Sequence, residues 1–310
     1  MNTRMQPYAK KTISRLGFGA WPLGNTSRGH TMLEDEGIAL VRAAYDAGIT
    51  FFDTAPNYAA GRSETILGLA LKGIREKVII NSKFGHHPDN RLNFDEQLIR
   101  PSIEGSLKRL QSHYLDSVLL HNPDRSILEG KTGHFDVLEE LKKEGLIHAY
   151  GVSIDTKEEL ALVLKRQDID VVELLFNVFA QGVRPLLDEL KQRKIVVIVK
   201  VPLDSGWLAG QYHKDSVFTD IRSRWSNTDR ARRHALVDKL KQITQDEALV
   251  NYALGFIWSY DAVTSVIPGM RTIGQLNEHV KALDFTFPKG LKDAFETLYD
   301  DDIKHDPLPW

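Results

Sequence analysis

The chain has 310 residues, 42% of them hydrophobic, with 40 basic and 42 acidic residues, a net charge of −2 and no cysteine. Charge this balanced offers no field for nucleic acid or for an anionic membrane surface. The missing cysteines exclude disulfides, thiolate metal ligands and a cysteine nucleophile. The length fits one domain, 1–310, since α/β barrels run to about 250 residues or more as a single unit. The opening segment MNTRMQPYAKKTISRLGFG lacks the apolar stretch of a secretory signal, and no run of 18 apolar residues occurs. A cytoplasmic protein is expected, with the sequon Asn25-Thr26-Ser27 unused.

Taken in chain order, short apolar runs alternate with amphipathic stretches. Leu16–Trp21 predicts a first strand, followed by a polar connection, 22–36. Ile49–Thr54 predicts a second strand and Ser63–Lys72 a helix. Val78–Lys83 and Pro101–Gln111 repeat the pair, as do Asp116–His121 with Phe135–Glu144 and Ile147–Ser153 with Lys157–Lys165. Asp170–Asn177 precedes the helix Arg184–Gln192. Ile195–Pro202 predicts a seventh strand. A long insert, 203–244, then carries a helical segment near Asp229–Ile243 before the helix Gln245–Ser259. Ala262–Ile267 and Thr272–Ala282 close the series. Eight strands alternating with helices predict parallel strands joined by right-handed crossovers, a (β/α)₈ TIM barrel. Runs such as KVIINSK and IVVIVK are apolar without alternation, as strands buried on both faces are. Asp155 or Thr156 before Glu159, and Thr244 before Glu247, have the spacing of helix-capping boxes. Pro101 and Pro185 fall in first turns, where a missing N–H costs little. Extra length after a barrel strand builds loops over the active face, so 203–244 is expected to form a lid.

Asp53, Lys83, His121, Ser153, Asn177 and Lys200 each end an apolar strand. Barrel strand ends converge on one face, where active sites form. One such residue merely solvates a rim. An Asp, a Lys and a His at matched depth on strands about 4.8 Å apart can meet one ligand. A buried Asp and Lys must also pair. Tyr58 follows Asp53 by five residues, beyond the bend at Pro56. A phenol of ordinary pKa near 10 is a poor acid-base group at neutral pH. A lysine cation lowers that value, and a neighbouring imidazole can relay the proton. Asp53, Tyr58, Lys83 and His121 thus form a candidate proton donor facing a carbonyl or alcohol. They are no obvious metal set. His86, His87 and His113 fit loop or surface positions.

At these residues the chain resembles the aldo-keto reductase superfamily over essentially its whole length. The matching segments are LGFGAWPLG (16–24), GITFFDTAPNYAAGRSETILGLAL (48–71), VIINSKFG (78–85), IRPSIEGSLKRLQSHYLDSVLLHNPD (99–124), GVS (151–153), VPLDSGWLAGQY (201–212) and VIPGMRTIGQLNEHV (266–280). The resemblance implies hydride transfer between NAD(P)H and an aldehyde or ketone, or the reverse oxidation. Tyr58 would be the general acid, Lys83 and Asp53 would tune it, and His121 would orient the substrate carbonyl. The cofactor would lie across the barrel mouth without a Rossmann domain; GFGAWPLG does not match G-x-G-x-x-G.

The resemblance also implies cofactor contacts. Gly19, Ala20 and Trp21 lie towards the nicotinamide ribose, and Asp53 and Ser153 towards the nicotinamide end. The family's asparagine after Ser153 is Ile154 here, and its glutamine is Glu173. A carboxylate accepts from the carboxamide NH₂ but cannot donate back. Pro202, Leu203, Gly206 and Leu208 match the segment around the pyrophosphate. Gly269, Arg271, Gln275, Glu278 and His279 match the adenosine end, His279 standing for a common asparagine. Arg271 can hold a 2′-phosphate by a forked contact, so NADP(H) is favoured over NAD(H); the bland role for it is a solvated helix start. Trp21 and Phe84, with Tyr58 and His121, would border the substrate.

Two other readings stay open on sequence. Lys83 or Lys200 could form a Schiff base in an aldolase-type barrel if desolvation lowered its pKa, which Asp53 opposes at Lys83. The superfamily also contains potassium-channel β-subunits, cofactor-sensing regulatory barrels. The retained tetrad and a chain that starts at the barrel favour catalysis. The physiological substrate, the reaction direction and the oligomeric state are not written in the sequence.

Overall fold

The computed structural model describes residues 6–8, 11–27, 30–210 and 212–309, with backbone alone for 6–8, 27 and 221. Gln211, in one of the matching segments, lies outside them. Eight strands form one sheet: β1 (Phe18–Gly19), β2 (Phe51–Asp53), β3 (Ile79–Phe84), β4 (Ser117–His121), β5 (Tyr150–Ile154), β6 (Val171–Leu175), β7 (Val196–Lys200) and β8 (Ser265–Val266). They pair in sequence order. Every pair is parallel. The edges meet as well. Leu16 bridges Val266 and Gly19 bridges Gly269, with Gly17 N–H donating to Val266 O at 2.8 Å and Gly19 N–H to Pro268 O at 3.1 Å. The sheet thus curls back on itself as a (β/α)₈ barrel does.

The two faces of the strands are sorted by the two-residue period of the pleat. Phe51, Ile79, Leu119, Val171 and Ile198 form an inner cluster with Ile13. Their neighbours Phe52, Ile80, Val118, Val172 and Val197 belong to the larger cluster under the helices. Ile13 comes from an antiparallel hairpin, Gln6–Tyr8 with Lys11–Ile13. β5 and β6 approach so closely that a Cβ on Gly151 would stand 1.7 Å from Val171 O.

The helices are α1 (Glu34–Asp46), α2 (Arg62–Ala70), α3 (Ile99–Leu110), α4 (His134–Lys143), α5 (Lys157–Val163), α6 (Leu187–Gln192), α7 (Asn227–Thr244), α8 (Val250–Trp258), α9 (Ile273–Lys281) and α10 (Leu291–Asp302). The expected strands and helices all occur, most of them shortened. Several features differ from expectation, among them the hairpin Gln6–Tyr8 with Lys11–Ile13 and the helices α1 and α10, in stretches where no element was expected. The polar run 22–36 holds a small antiparallel pairing, Thr26 with Thr31 and Ser27 with His30, and runs into α1, whose first turn is Glu34-Asp35-Glu36. Acidic side chains there suit a helix N-terminus. The cap expected at Thr244 is absent because α7 continues to that residue, and its hydroxyl donates back to Leu240 O at 3.0 Å. A capping box forms instead at Ser226 and Asp229. At α5 the cap is Thr156, whose N–H donates to Glu159 Oε2 at 2.8 Å. Among the described residues no helix is long and apolar enough to cross a membrane.

Candidate active site

The pleat that builds the inner cluster also carries polar side chains inward at the C-terminal ends of the strands. Asp53 stands two residues beyond Phe51, Asn81 and Lys83 two and four beyond Ile79, and Glu173 two beyond Val171. Asp53 pairs in register with Asn81, and Ser153 with Glu173. Lys83 Nζ donates to both oxygens of Asp53 at 2.6 Å and to Thr54 O at 3.0 Å. Asn81 Nδ2 donates to Asp53 Oδ1 at 2.6 Å, and its Oδ1 accepts from Ser117 Oγ at 2.6 Å. Lys83 is 2% exposed and Asp53 3%. Buried charges require this pairing.

A second carboxylate faces the same lysine. Glu173 Oε2 lies 3.4 Å from Lys83 Nζ. Its Oε1 accepts from Ser153 Oγ at 2.9 Å. The Ser153 oxygen in turn accepts from Lys200 Nζ at 2.8 Å. Lys200 also donates to Asn122 Oδ1 at 3.2 Å and pairs with Asp155 Oδ1 at 2.8 Å. Polar contacts therefore run unbroken from Asp53 on β2 to Asp155 beyond β5.

Tyr58 opens a tight turn, Tyr58–Gly61, in which Ala59 and Ala60 take φ of 51° and 55°. Such left-handed values cost about 1 kcal/mol each away from glycine, so the packed surroundings fix this turn. The Lys83 ammonium lies 5.3 Å from the centre of the Tyr58 ring. The rings of Tyr58 and His121 meet edge to face, 6.2 Å apart at 83°. His86 lies against His121 at 4.6 Å.

Burial and charge set the protonation states. Burial pushes the Tyr58 phenol up; Lys83 opposes this, while Asp53 and Glu173 add to it. The expected lowering by lysine is thus real but outweighed. Burial opposes the charge on Lys83, yet Asp53 and Glu173 hold its ammonium above the ordinary lysine range. Burial, with Lys83 and Lys200 nearby, keeps His121 well below the ordinary histidine range, hence neutral. Two carboxylates on one lysine repel each other: Asp53 is pushed up to about 7 by burial and Glu173, against Lys83. The site can hold a proton on a phenol, beside a fixed cation and a neutral imidazole.

The other expected residues divide by place. Gly19 and Gly269 are brought together by their bridge. Ala20 and Ser153 are fully buried, and Trp21 is partly exposed. Pro202, Leu203 and Leu208 are buried, with Gly206 partly open at φ 109°. Arg271 and Gln275 are joined, Arg271 N–H donating to Gln275 Oε1 at 2.7 Å. Glu278 is exposed, whereas His279 is 2% exposed. Phe84 is not at the mouth. It follows Lys83 on β3, points to the outer face, is fully buried, and packs edge to face on His87 and Phe94. Ile154 is outward and buried for the same reason. Sequence reasoning missed Asn81 as a partner of Asp53 and Glu173 as a partner of Lys83. The signal was present: a lone amide and a lone acid inside the apolar runs VIINSK and VVELL, in phase with Lys83 and Ser153. Among the described residues no group of three His, Asp or Glu side chains is placed to hold a metal.

Fold and site together define a parallel α/β barrel with a tyrosine, a paired lysine and a neutral histidine at its C-terminal mouth. The model of the Aldo/keto reductase family matches residues 15–299, and the chain belongs to that family of oxidoreductases, in which hydride transfer is the general chemistry. It is 29% identical to Aldo-keto reductase YhdN of Bacillus subtilis (strain 168), over 95% of this chain and 92% of that protein. It is 28% identical to NADH-specific methylglyoxal reductase of Escherichia coli (strain K12), over 93% and 94%. Its fold matches the crystal structure of an aldo/keto reductase from Klebsiella pneumoniae in complex with NADP and acetate, with a TM-score of 0.70, 23% identity and coverage of 96% and 95%.

Proposed function

We propose that this chain interconverts a small aldehyde or ketone and the corresponding alcohol with a nicotinamide cofactor, Tyr58 giving the proton in reduction and taking it in oxidation. The observation that carries this reading is Lys83, fixed by Asp53 at 2.6 Å and facing the Tyr58 ring at 5.3 Å. A phenol that keeps its proton at neutral pH is a competent acid, and the lysine charge compensates the phenolate that proton donation leaves. His121, neutral, is suited to donate an N–H to the carbonyl oxygen and share its developing charge. Trp21 would wall the pocket beside them.

The residues present fit a nicotinamide cofactor. Glu173 Oε2 is a buried acceptor without a hydrogen bond, and a carboxamide NH₂ would satisfy it. The bound cofactor would supply the hydride. Gly19, Ala20 and Trp21 would flank its ribose, with Ser153 near the amide. Pro202, Leu203, Gly206 and Leu208 would follow the pyrophosphate, and Gly269, Arg271, Gln275, Glu278 and His279 the adenosine. Arg271 favours NADP(H) over NAD(H), in keeping with the NADP in the Klebsiella pneumoniae complex; the Escherichia coli relative, by its name, uses NADH. The segment 203–244 would be the lid, tied down by Arg222 Nε donating to Ser205 O at 3.0 Å and Arg233 Nε to Asp204 at 3.0 Å. A Schiff-base role fits neither lysine: Lys83 is held charged and Lys200 is paired with Asp155.

The test is cofactor oxidation at the nicotinamide absorbance band with a panel of aldehydes and ketones, for the wild type and Tyr58→Phe. The variant should lose about 10²–10⁴-fold in turnover with cofactor affinity unchanged. A variant as fast as the wild type removes Tyr58 from the chemistry. A borohydride-trapped adduct on Lys83 or Lys200, without cofactor oxidation, replaces the reading with an aldolase.

A further inference from the structure

We propose that Glu173 is a positioning residue of this site: from β6 it shares Lys83 with Asp53 of β2, and so sets how much of the lysine charge reaches Tyr58. The inference rests on the reductase reading above.

Glu173 is 2% exposed and interrupts the apolar run VVELL. Leaving a charge there is costly unless a cation answers it. The answering cation is Lys83, at 3.4 Å from Oε2. Oε1 is anchored by Ser153, which Lys200 holds in turn. The carboxylate is therefore fixed in place, and its orientation towards Lys83 is built into β5, β6 and β7. If Ser153 were its sole purpose, a neutral amide of the same size would accept that hydrogen bond.

The charges make the consequence specific. Lys200 is matched by Asp155. Lys200 also acts on Glu173, so the two lysines answer three carboxylates, Asp53, Glu173 and Asp155, and this connected centre carries one negative charge in excess. The remaining groups around it are Tyr58, His121, His86, Asn81 and Thr54, none of them charged at neutral pH. Burial first, and the neighbouring Glu173 charge second, push one carboxyl of the pair towards protonation near neutrality, and Asp53 is the member so raised. The excess also offsets the pull of Lys83 on the Tyr58 proton. Glu173 touches neither the tyrosine nor a reacting atom in this arrangement; it acts on Tyr58 through space and by holding Lys83.

Glu173→Gln keeps the volume and the acceptor for Ser153 and removes the charge. Lys83 then acts on Tyr58 with less opposition, and Tyr58 releases its proton at lower pH. Reduction needs the protonated phenol, so activity is lost as pH rises through this pKa. The alkaline limb of kcat/KM should therefore move down by about one pH unit. Glu173→Asp, which keeps the charge, should hold the limb closer to wild type. A limb that stays put in an active Glu173→Gln overturns the proposal, because a merely structural role lowers activity without moving it.

A second readout needs no turnover. Infrared titration of the full chain should show the C=O stretch of a protonated, buried carboxyl near neutral pH. Glu173→Gln should abolish it by leaving Asp53 alone with Lys83, and Asp53→Asn should abolish it by leaving Glu173 alone. Persistence of the band in either variant overturns the proposal, and Asp53→Asn decides if Glu173→Gln does not fold. If the wild type oxidises no cofactor with any carbonyl, the reductase reading fails, and the infrared result alone decides whether Glu173 shares Lys83.

Discussion

The Arg271 guanidinium donates to the main-chain carbonyl of Asn25 at 3.1 and 3.2 Å, and to that of His30 at 3.0 Å. It thereby ties the start of α9 to the segment after β1 through neutral acceptors, with no carboxylate hydrogen-bonded to it, although Glu36 and Asp220 act on it from further off. Arg222 is near enough to act on it electrostatically. An anion is drawn to such a place, and the 2′-phosphate of NADP(H) is the anion that the adenosine end would present. Arg271→Ala should weaken NADPH binding about 10–100-fold, the worth of a charge-assisted hydrogen bond of about 1.5–3 kcal/mol. NADH binding should change far less. Fluorescence titration with both cofactors checks this, and equal losses would remove Arg271 as the source of preference.

At the opposite end of the strands, Asp116 is fully buried and receives Lys11 Nζ at 2.7 Å, Arg75 Nη1 at 2.8 Å and Ile80 N–H at 2.9 Å. Lys11 carries the hairpin that plugs the barrel, so this carboxylate joins plug and wall. Asp116→Ala leaves two cations without their partner and should cost about 3–5 kcal/mol in urea unfolding. Turnover per folded molecule should be unchanged. A stability loss below about 1 kcal/mol would show that the pairing contributes little.

His279 is pushed down to about 4 by burial, from an ordinary value near 6.5. The unfolded chain therefore binds a proton between these values that the folded chain refuses. The sign follows: stability from this group is complete above about pH 6.5 and is lost as pH falls towards 4, up to about 3 kcal/mol. His279→Leu should flatten that part of the stability profile. Urea midpoints measured across pH 4–7 decide it, and an unchanged slope in the variant assigns the acid sensitivity elsewhere.

Arg233 is 1% exposed and joins α7 to the segment after β7 through Asp204, while its Nη2 donates to Pro309 O at 2.6 Å. Burial pushes Asp204 up, and Arg233 opposes this. Arg233→Met strands a buried carboxylate beside Leu203 and Gly206 and should loosen the segment proposed to cover the pyrophosphate. Cofactor release in stopped-flow fluorescence should be faster by about tenfold or more. An unchanged release rate would separate this ion pair from the lid.

By itself the sequence determined the alternation of strands and helices, and the placing of Asp53, Lys83 and His121 at successive strand ends. Both are local properties: apolar runs of strand length, and polar residues where each run stops. The outward turn of Phe84 was legible in principle, because one pleat separates it from Lys83. Only the tertiary structure decided which carboxylate faces which cation. Glu173 lies 90 residues from Lys83 in the chain and reaches it because the sheet curls, and Ser153 is engaged by Lys200 for the same reason. The tertiary structure also decided the sign of the Tyr58 shift. Sequence names the lysine that lowers a phenol's pKa, but the depth of burial that raises it is a property of the closed barrel.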